Sequence, residues 1–323
     1  MTDDLFTSSL AERIRTFIAL RRLSGSQCNG QSSILRCFDR FLTRRGGEPR
    51  YVTREIHDAY VSTLSHVHPR YRSNQCSVIR QFSIYLSRFE PNCYVPAPVR
   101  AGKSQDDWRA YIFSVGQIRD LLAATSRLQP GSRPATFRVL FGLIYTTGLR
   151  LGEARALNMG DWHPDTLRLY IHCGKFRKAR WVPVSRSVGD VLEAYVARRQ
   201  LIVAKETGSP PLFLSTQRRR FHHCTIEETF CQLLRQCGIQ RTTRHGPRVH
   251  DLRHTFAVHR LLGWYRDGQD INTRLPALAT YMGHVNIAST QVYIQATPEL
   301  YDCVNQRLLS YARGNGILGG PKQ

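Results

Sequence analysis

Tyr293 follows His284 by nine residues in the stretch Tyr281-Met-Gly-His-Val-Asn-Ile-Ala-Ser-Thr-Gln-Val-Tyr293, and upstream lie His250-Asp-Leu-Arg253 and Thr147-Gly-Leu-Arg-Leu-Gly-Glu153. Together these pieces supply a phenol, two imidazoles and two guanidiniums. Those are the groups that a metal-free attack on a phosphodiester calls for. Such a reaction needs a nucleophile, cations on the non-bridging oxygens and a proton for the leaving oxygen; because charge spreads over the equatorial oxygens, positioned cations contribute most. Arg150 follows Gly148 at a helix junction, and Glu153 lies one turn on, close enough to orient its guanidinium. Arg253 comes three residues after His250, so a helix projects both from one face. His284 follows Gly283, where the lack of a side chain lets another backbone come close. Taken singly, each residue has a duller reading: an arginine beside an acid is usually a surface ion pair, a lone histidine a satisfied structural residue, and a tyrosine in Val-Tyr-Ile a packed aromatic. The combination and its order carry the signal.

The elements that must position these residues belong to a chain of 323 residues with a net charge of +22. That length allows about two domains with a core each. The basic side is nearly all arginine, with lysine only at 103, 175, 178, 205 and 322. Arginine's planar fork matches phosphate oxygens, and a surplus spread through both halves favours an acidic polymer, nucleic acid first. No run of about 18 apolar residues is present to span a membrane. The acidic start Met-Thr-Asp-Asp-Leu is unlike a signal peptide. The nine cysteines form no CxxC pair and suit reduced thiols, so a cytoplasmic, nucleoid-associated location is expected.

From Leu5 to about Phe89 the apolar residues recur at helical spacing, which predicts four helices near 5–23, 29–44, 53–65 and 71–90. Arg13, Arg21, Arg22, Arg36, Arg40, Arg44, Arg45, Arg70, Arg72 and Arg80 are expected on exposed faces, positive toward a duplex backbone. The expected domains are 1–95, a linker over 96–110 introduced by Pro91, Pro96 and Pro98, a second domain over 111–313 and a flexible tail over 314–323. In the second domain, helices are predicted over Val115–Thr125 with Ser114 as N-cap, and over Ala135–Thr146 halted by Gly148. Residues 167–184 alternate around a basic turn and predict a β-hairpin. Further helices are predicted at about 187–205, 224–237, 250–263, 273–282, 287–294 and 299–312. The fold class is mainly α, with a small antiparallel hairpin or sheet.

The sequence resembles the tyrosine recombinases, or phage-type integrases, strongly from about Phe137 to Leu300 and in architecture alone before residue 100. Thr147-Gly-Leu-Arg-x-x-Glu153 resembles the family's first arginine box, which places a catalytic arginine at Arg150 with Glu153 in support. Gly174-Lys175, the basic residues after it and Trp181-Val-Pro-Val184 resemble its hairpin, which implies Lys175 as proton donor to the leaving 5′ oxygen; Lys178 competes for that role. His250-x-x-Arg253-His-Thr resembles the second box, making Arg253 a phosphate clamp and His250 a proton-transfer partner. Met282-Gly-His284 is similar to Leu-Gly-His, so His284 would bond the scissile phosphate, and Tyr293 matches the nucleophile.

The resemblance implies an N-terminal SAM-like, four-helix core-binding bundle and a catalytic domain that close as a clamp on duplex DNA. It implies cleavage and rejoining through a 3′-phosphotyrosyl bond, with no cofactor, metal or ATP. Expected partners are double-stranded recombination sites, further copies of the chain in a tetrameric synaptic complex, and accessory or sister recombinases; no membrane is involved. The last helix, with Leu300, Val304, Leu308 and Tyr311 on one face, would dock on a neighbouring subunit. The run from His259 to Ala279 is longer than in compact Xer-type members, which points to recombinases of mobile elements. Two other readings compete: a metal-dependent nuclease using the His250/His254 pair with His284 as third ligand, and a non-catalytic DNA-binding accessory on the same fold.

Overall fold

In the computed structural model, the described residues are 6–24, 28–98, 110–129, 133–172, 179–202, 210–239 and 246–284, with Asn305 and Leu309. Lys175, Lys178 and Tyr293 lie outside them, as do the hairpin turn, the predicted helix over 287–294, the face of Leu300, Val304, Leu308 and Tyr311, and the tail. The chain divides into two compact units, Met1–Trp108 and Arg109–Gln323.

Among its described residues the first unit contains four helices, α1 (Ala11–Leu23), α2 (Asn29–Arg45), α3 (Arg54–Thr63) and α4 (Pro69–Leu86). Their apolar stripes meet in one core, where Phe17 and Phe82 pack edge to face at 5.5 Å and Phe38 and Tyr60 at 4.9 Å. α1 begins six residues later than its periodicity predicts, at Ala11 and not near 5. The buried Asp39 carboxylate explains the delay: it accepts the backbone N–H groups of Thr7 and Ser8 and the Ser8 hydroxyl, holding that segment outside the helix. The expected arginine face is only partly exposed. Arg40, Arg44, Arg45, Arg70 and Arg72 are exposed, whereas Arg13, Arg21, Arg22, Arg36 and Arg80 are half-buried. Arg13 lies 4.7 Å above the Phe89 ring and Arg21 5.6 Å from the Phe17 ring, so stems that end in charge also cover apolar surface.

The second unit carries α5 (Val115–Ala124), α6 (Arg133–Thr147), α7 (Leu151–Ala156), β1 (Trp162–His163), β2 (Arg168–Ile171), β3 (Arg180–Pro183), α8 (Arg186–Ile202), α9 (His223–Gln236), α10 (Val249–Arg266) and α11 (Ile271–Met282). Ser114 caps α5 as expected, in a reciprocal box with Gln117. β2 and β3 pair antiparallel with Leu169 opposite Val182, both fully buried, and Tyr170 opposite Trp181 on the outer face. The short β1, which the sequence reading missed, pairs with β2 and extends the hairpin to a three-stranded sheet. A strand of two residues has too little alternation to be read as one.

One core gathers Phe137, Phe141 and Phe230 with Leu169 and Val182; a second gathers Phe256, Val258 and Leu261 of α10 with Leu275 and Leu278 of α11. α10 runs to Arg266, past Gly263, and the chain turns at Gly268 (φ 69°). α11 starts at Ile271 with Asp270 as its cap. No helix among the described residues is long and apolar enough to cross a membrane.

Candidate active site

α6 ends at Gly148, whose φ of +64° lies in the left-handed region and whose missing side chain leaves room for the Phe256 ring, 2.5 Å from where a Cβ would sit. The turn that follows sets Arg150 at the N-cap of α7 with extended backbone, and Glu153 at the third helical position. One oxygen of Glu153 accepts the Arg150 backbone N–H at 3.1 Å, and the other accepts its Nη1 at 2.8 Å. The expected orientation of the Arg150 guanidinium by Glu153 is thus present, and the same carboxylate starts the helix.

The second anchor is the end of α11. Gly283 caps it in the left-handed conformation (φ 69°), and the His284 N–H bonds back to the Ala279 carbonyl at 2.9 Å. The last carbonyls of the helix therefore project beyond it. Arg150 Nη2 donates to the Gly283 carbonyl at 2.8 Å. Arg253, from the first turns of α10, donates through Nη1 to the Gly148 carbonyl at 2.5 Å and through Nη2 to the Met282 carbonyl at 2.8 Å; Nη2 also lies 2.7 Å from His284 Nε2. The negative end of a helix dipole favours cations, so this helix end gathers guanidiniums. Arg150, Glu153, Arg253 and His284 form one connected cluster. Arg253 is enclosed (1% exposed), while the Arg150 side chain keeps 22% of its surface open.

A third guanidinium, which the sequence reading missed, completes the cluster. Arg180 at the start of β3 donates to both oxygens of Glu153, at 3.1 and 2.9 Å, and to the Tyr281 and Met282 carbonyls, at 3.0 and 3.3 Å. It also corrects the expectation about Gly283: what comes close is the Arg180 guanidinium, 2.8 Å from the position of a Cβ, and not another backbone. The signal that could have found it is strand alternation, because Arg180 shares a face with the buried Val182. An arginine on an inward face needs a buried acid or carbonyl.

Burial pushes the Glu153 carboxyl up, but the hydrogen bonds and charges of Arg180 and Arg150 outweigh it and hold the group below the ordinary value. His250 and His284 are both lowered to about 4, by burial first and then by Arg253; Arg248 and Arg150 add to the effect at His250, Arg150 and Arg180 at His284. His254 is lowered to about 3, by burial first and then by His250, against which its ring packs edge-on at 4.7 Å. At neutral pH these imidazoles are uncharged. His284 Nε2 then accepts from Arg253, which leaves the proton on Nδ1.

The His250/His254 pair is poorly suited to hold a metal. Both lie in the field of the Arg253 charge, and Asp251 accepts the Arg248 backbone N–H at 2.8 Å to start α10. Among the described residues no three His, Cys, Asp or Glu side chains group as ligands would. What the cluster can do is present uncharged imidazoles and an open guanidinium to a phosphate.

Residues 113–299 match the model of the Phage integrase family. A relative, y4rB of Sinorhizobium fredii, named as an integrase/recombinase, is 34% identical over 93% of this chain and 97% of its own length. Tyrosine recombinase XerD of Oceanobacillus iheyensis is 28% identical over 70% of this chain and 71% of its own. Among solved structures, the Tn1549 transposon integrase in complex with transposon right end DNA superposes with a TM-score of 0.63 at 16% identity, covering 94% of this chain and 100% of that one. The XerH site-specific recombinase in its post-cleavage complex with a difH substrate gives 0.62 at 16% identity, over 90% of this chain and 79% of that one. At such identities the likeness establishes the fold.

Proposed function

Since this chain belongs to the phage integrase family, we propose that Tyr293 is the nucleophile of its strand exchange and that Arg150, Lys175, His250, Arg253 and His284 serve the phosphate under attack. The protein is a tyrosine-type site-specific DNA recombinase. The observation that supports these residue roles is the convergence of Arg150, Arg253 and His284 at the end of α11, with His284 nine residues before Tyr293.

The Tyr293 oxygen attacks phosphorus and its proton passes to the uncharged His250. The bond to the 5′ oxygen breaks, and Lys175 protonates that leaving oxygen. The product is a 3′-phosphotyrosyl bond and a free 5′ hydroxyl. Arg150 and Arg253 neutralise the non-bridging oxygens, and His284 hydrogen-bonds one of them. A 5′ hydroxyl from a partner strand then attacks the phosphotyrosine and releases Tyr293. One phosphoester replaces another, so neither ATP nor a metal enters the balance.

In this reading residues 1–95 bind DNA, residues 111–313 catalyse, and 96–110 join them. Four copies exchange strands between two sites, with accessory or sister recombinases as further partners. The long run from His259 to Ala279 favours a recombinase carried by a mobile element, working in the cytoplasm on double-stranded DNA.

Suicide duplexes drawn from the DNA flanking the gene test the assignment. The expected result is a denaturation-resistant protein–DNA adduct that forms in EDTA, maps to Tyr293 through a 3′ phosphate and is lost in Tyr293→Phe. An adduct formed by Tyr293→Phe, or EDTA-sensitive cleavage with no adduct, overturns it.

A further inference from the structure

Glu153 is a single buried carboxylate shared by two guanidiniums, and both Arg150 Nη1 and Arg180 Nη1 bind the same oxygen of it, at 2.8 and 3.1 Å. One cation would suffice to neutralise it. Arg180 spends its donors on four acceptors, the two Glu153 oxygens and the Tyr281 and Met282 carbonyls, and its side chain is only 14% exposed. Its guanidinium is thus turned toward Glu153 and the helix end. It connects β3 to the same helix end that holds Arg150, Arg253 and His284.

We propose that Arg180 is a positioning residue for the phosphate-binding arginines: by taking half of Glu153 and gripping the end of α11, it fixes the Arg150 guanidinium and leaves its charge uncancelled. This rests on Arg150 acting as a phosphate clamp. With Arg180 present, two guanidiniums share one carboxylate, and with Arg253 beside them the cluster keeps an excess of positive charge for a phosphodiester. Without it, Glu153 pairs with Arg150 one to one, which draws the guanidinium inward and cancels its field. The tie to the Tyr281 and Met282 carbonyls is lost at the same time, and with it one hold on the segment that ends in His284.

The test compares the full-length protein and its variants on duplexes carrying either a normal phosphate or an uncharged methylphosphonate at the mapped scissile position. A methylphosphonate has no negative charge for a clamp to neutralise, so defects in the clamp matter less on it. Arg180→Gln is expected to slow covalent adduct formation roughly 10- to 100-fold on the phosphodiester and only a few-fold on the methylphosphonate. Arg150→Ala is expected to show the same selectivity, and the double variant to be little slower than Arg150→Ala alone. Arg180→Lys keeps a charge on Glu153 but not the fork; its smaller deficit should also be confined to the charged substrate, and it carries the test if Arg180→Gln does not fold. Equal losses on both substrates, or multiplying losses in the double variant, overturn the role of Arg180. If Arg150→Ala itself shows no selectivity, the Arg150 assignment falls instead.

Discussion

Glu153 does three things with one buried carboxylate: it starts α7, orients Arg150 and receives Arg180. Glu153→Gln leaves two guanidiniums facing a neutral amide, and breaking a buried ion pair from one side typically costs about 3–5 kcal/mol. Urea denaturation should show a loss of that order together with slower adduct formation. Arg150→Ala and Arg253→Ala should each lower the cleavage rate by roughly 10²–10³, with binding of intact duplex affected far less. The imidazoles add a pH dependence. His250, His254 and His284 titrate at about 4, 3 and 4 in the folded chain, against 6.5 for an ordinary histidine. Between those values the unfolded chain binds protons that the folded chain refuses, so stability is full above pH about 6.5 and falls as pH drops toward 4. The melting temperature of DNA-free protein should therefore fall between pH 7.5 and 5, and His254→Asn should flatten that slope; an unchanged slope would show that His254 takes no part in it. Arg150 and Glu153 were legible as a pair because three residues on a helix bring side chains together. Arg180 was not, since its carboxylate partner lies 27 residues away in sequence, and only the pleat of a strand links its position to an interior.

At the scale of elements, helix periodicity was legible wherever a stripe of large apolar residues faced one core, as in α2, α4 and α6. Boundaries were misread where glycine, proline or a side chain overrode the pattern. The helix predicted over 250–263 runs on through Gly263 to Arg266, and Asp39 delays α1 from a distance that no local window contains. Gly148 shows when a glycine does end a helix, because both its φ and the Phe256 ring exclude a side chain there. Gly148→Ala should destabilise the second unit by about 2–4 kcal/mol, combining left-handed strain with a displaced ring. Gly152, where a Cβ would meet nothing within 4 Å, is the control. Gly152→Ala should be neutral or slightly stabilising, since alanine favours the helix. Chemical denaturation of both variants reads the difference, and equal losses would remove the steric account of Gly148.

For the whole molecule, a net charge of +22 and a surface of arginines make DNA affinity a matter of salt. If six to ten phosphates are contacted, affinity should fall roughly 10³- to 10⁵-fold between 50 and 200 mM salt. Titrating duplex binding against salt measures that slope, and a flat response would contradict electrostatic docking. The positive charge and the succession of elements were legible because they are sums over many residues. The meeting of Arg150, Arg180 and Arg253 at one helix end was not, because tertiary folding creates it from residues that lie 132, 102 and 29 positions from their carbonyl partner Met282.

The acceptors at that meeting point are main-chain oxygens of Tyr281, Met282 and Gly283. Every amino acid supplies the same carbonyl, so exchange of Met282 for another apolar residue leaves the grip intact. Insertion or deletion of one residue in α11 does not: it turns each carbonyl by about 100° around the helix axis. This corner of the protein is thus open to drift in spelling at Met282, though not at Gly283, and closed to drift in length.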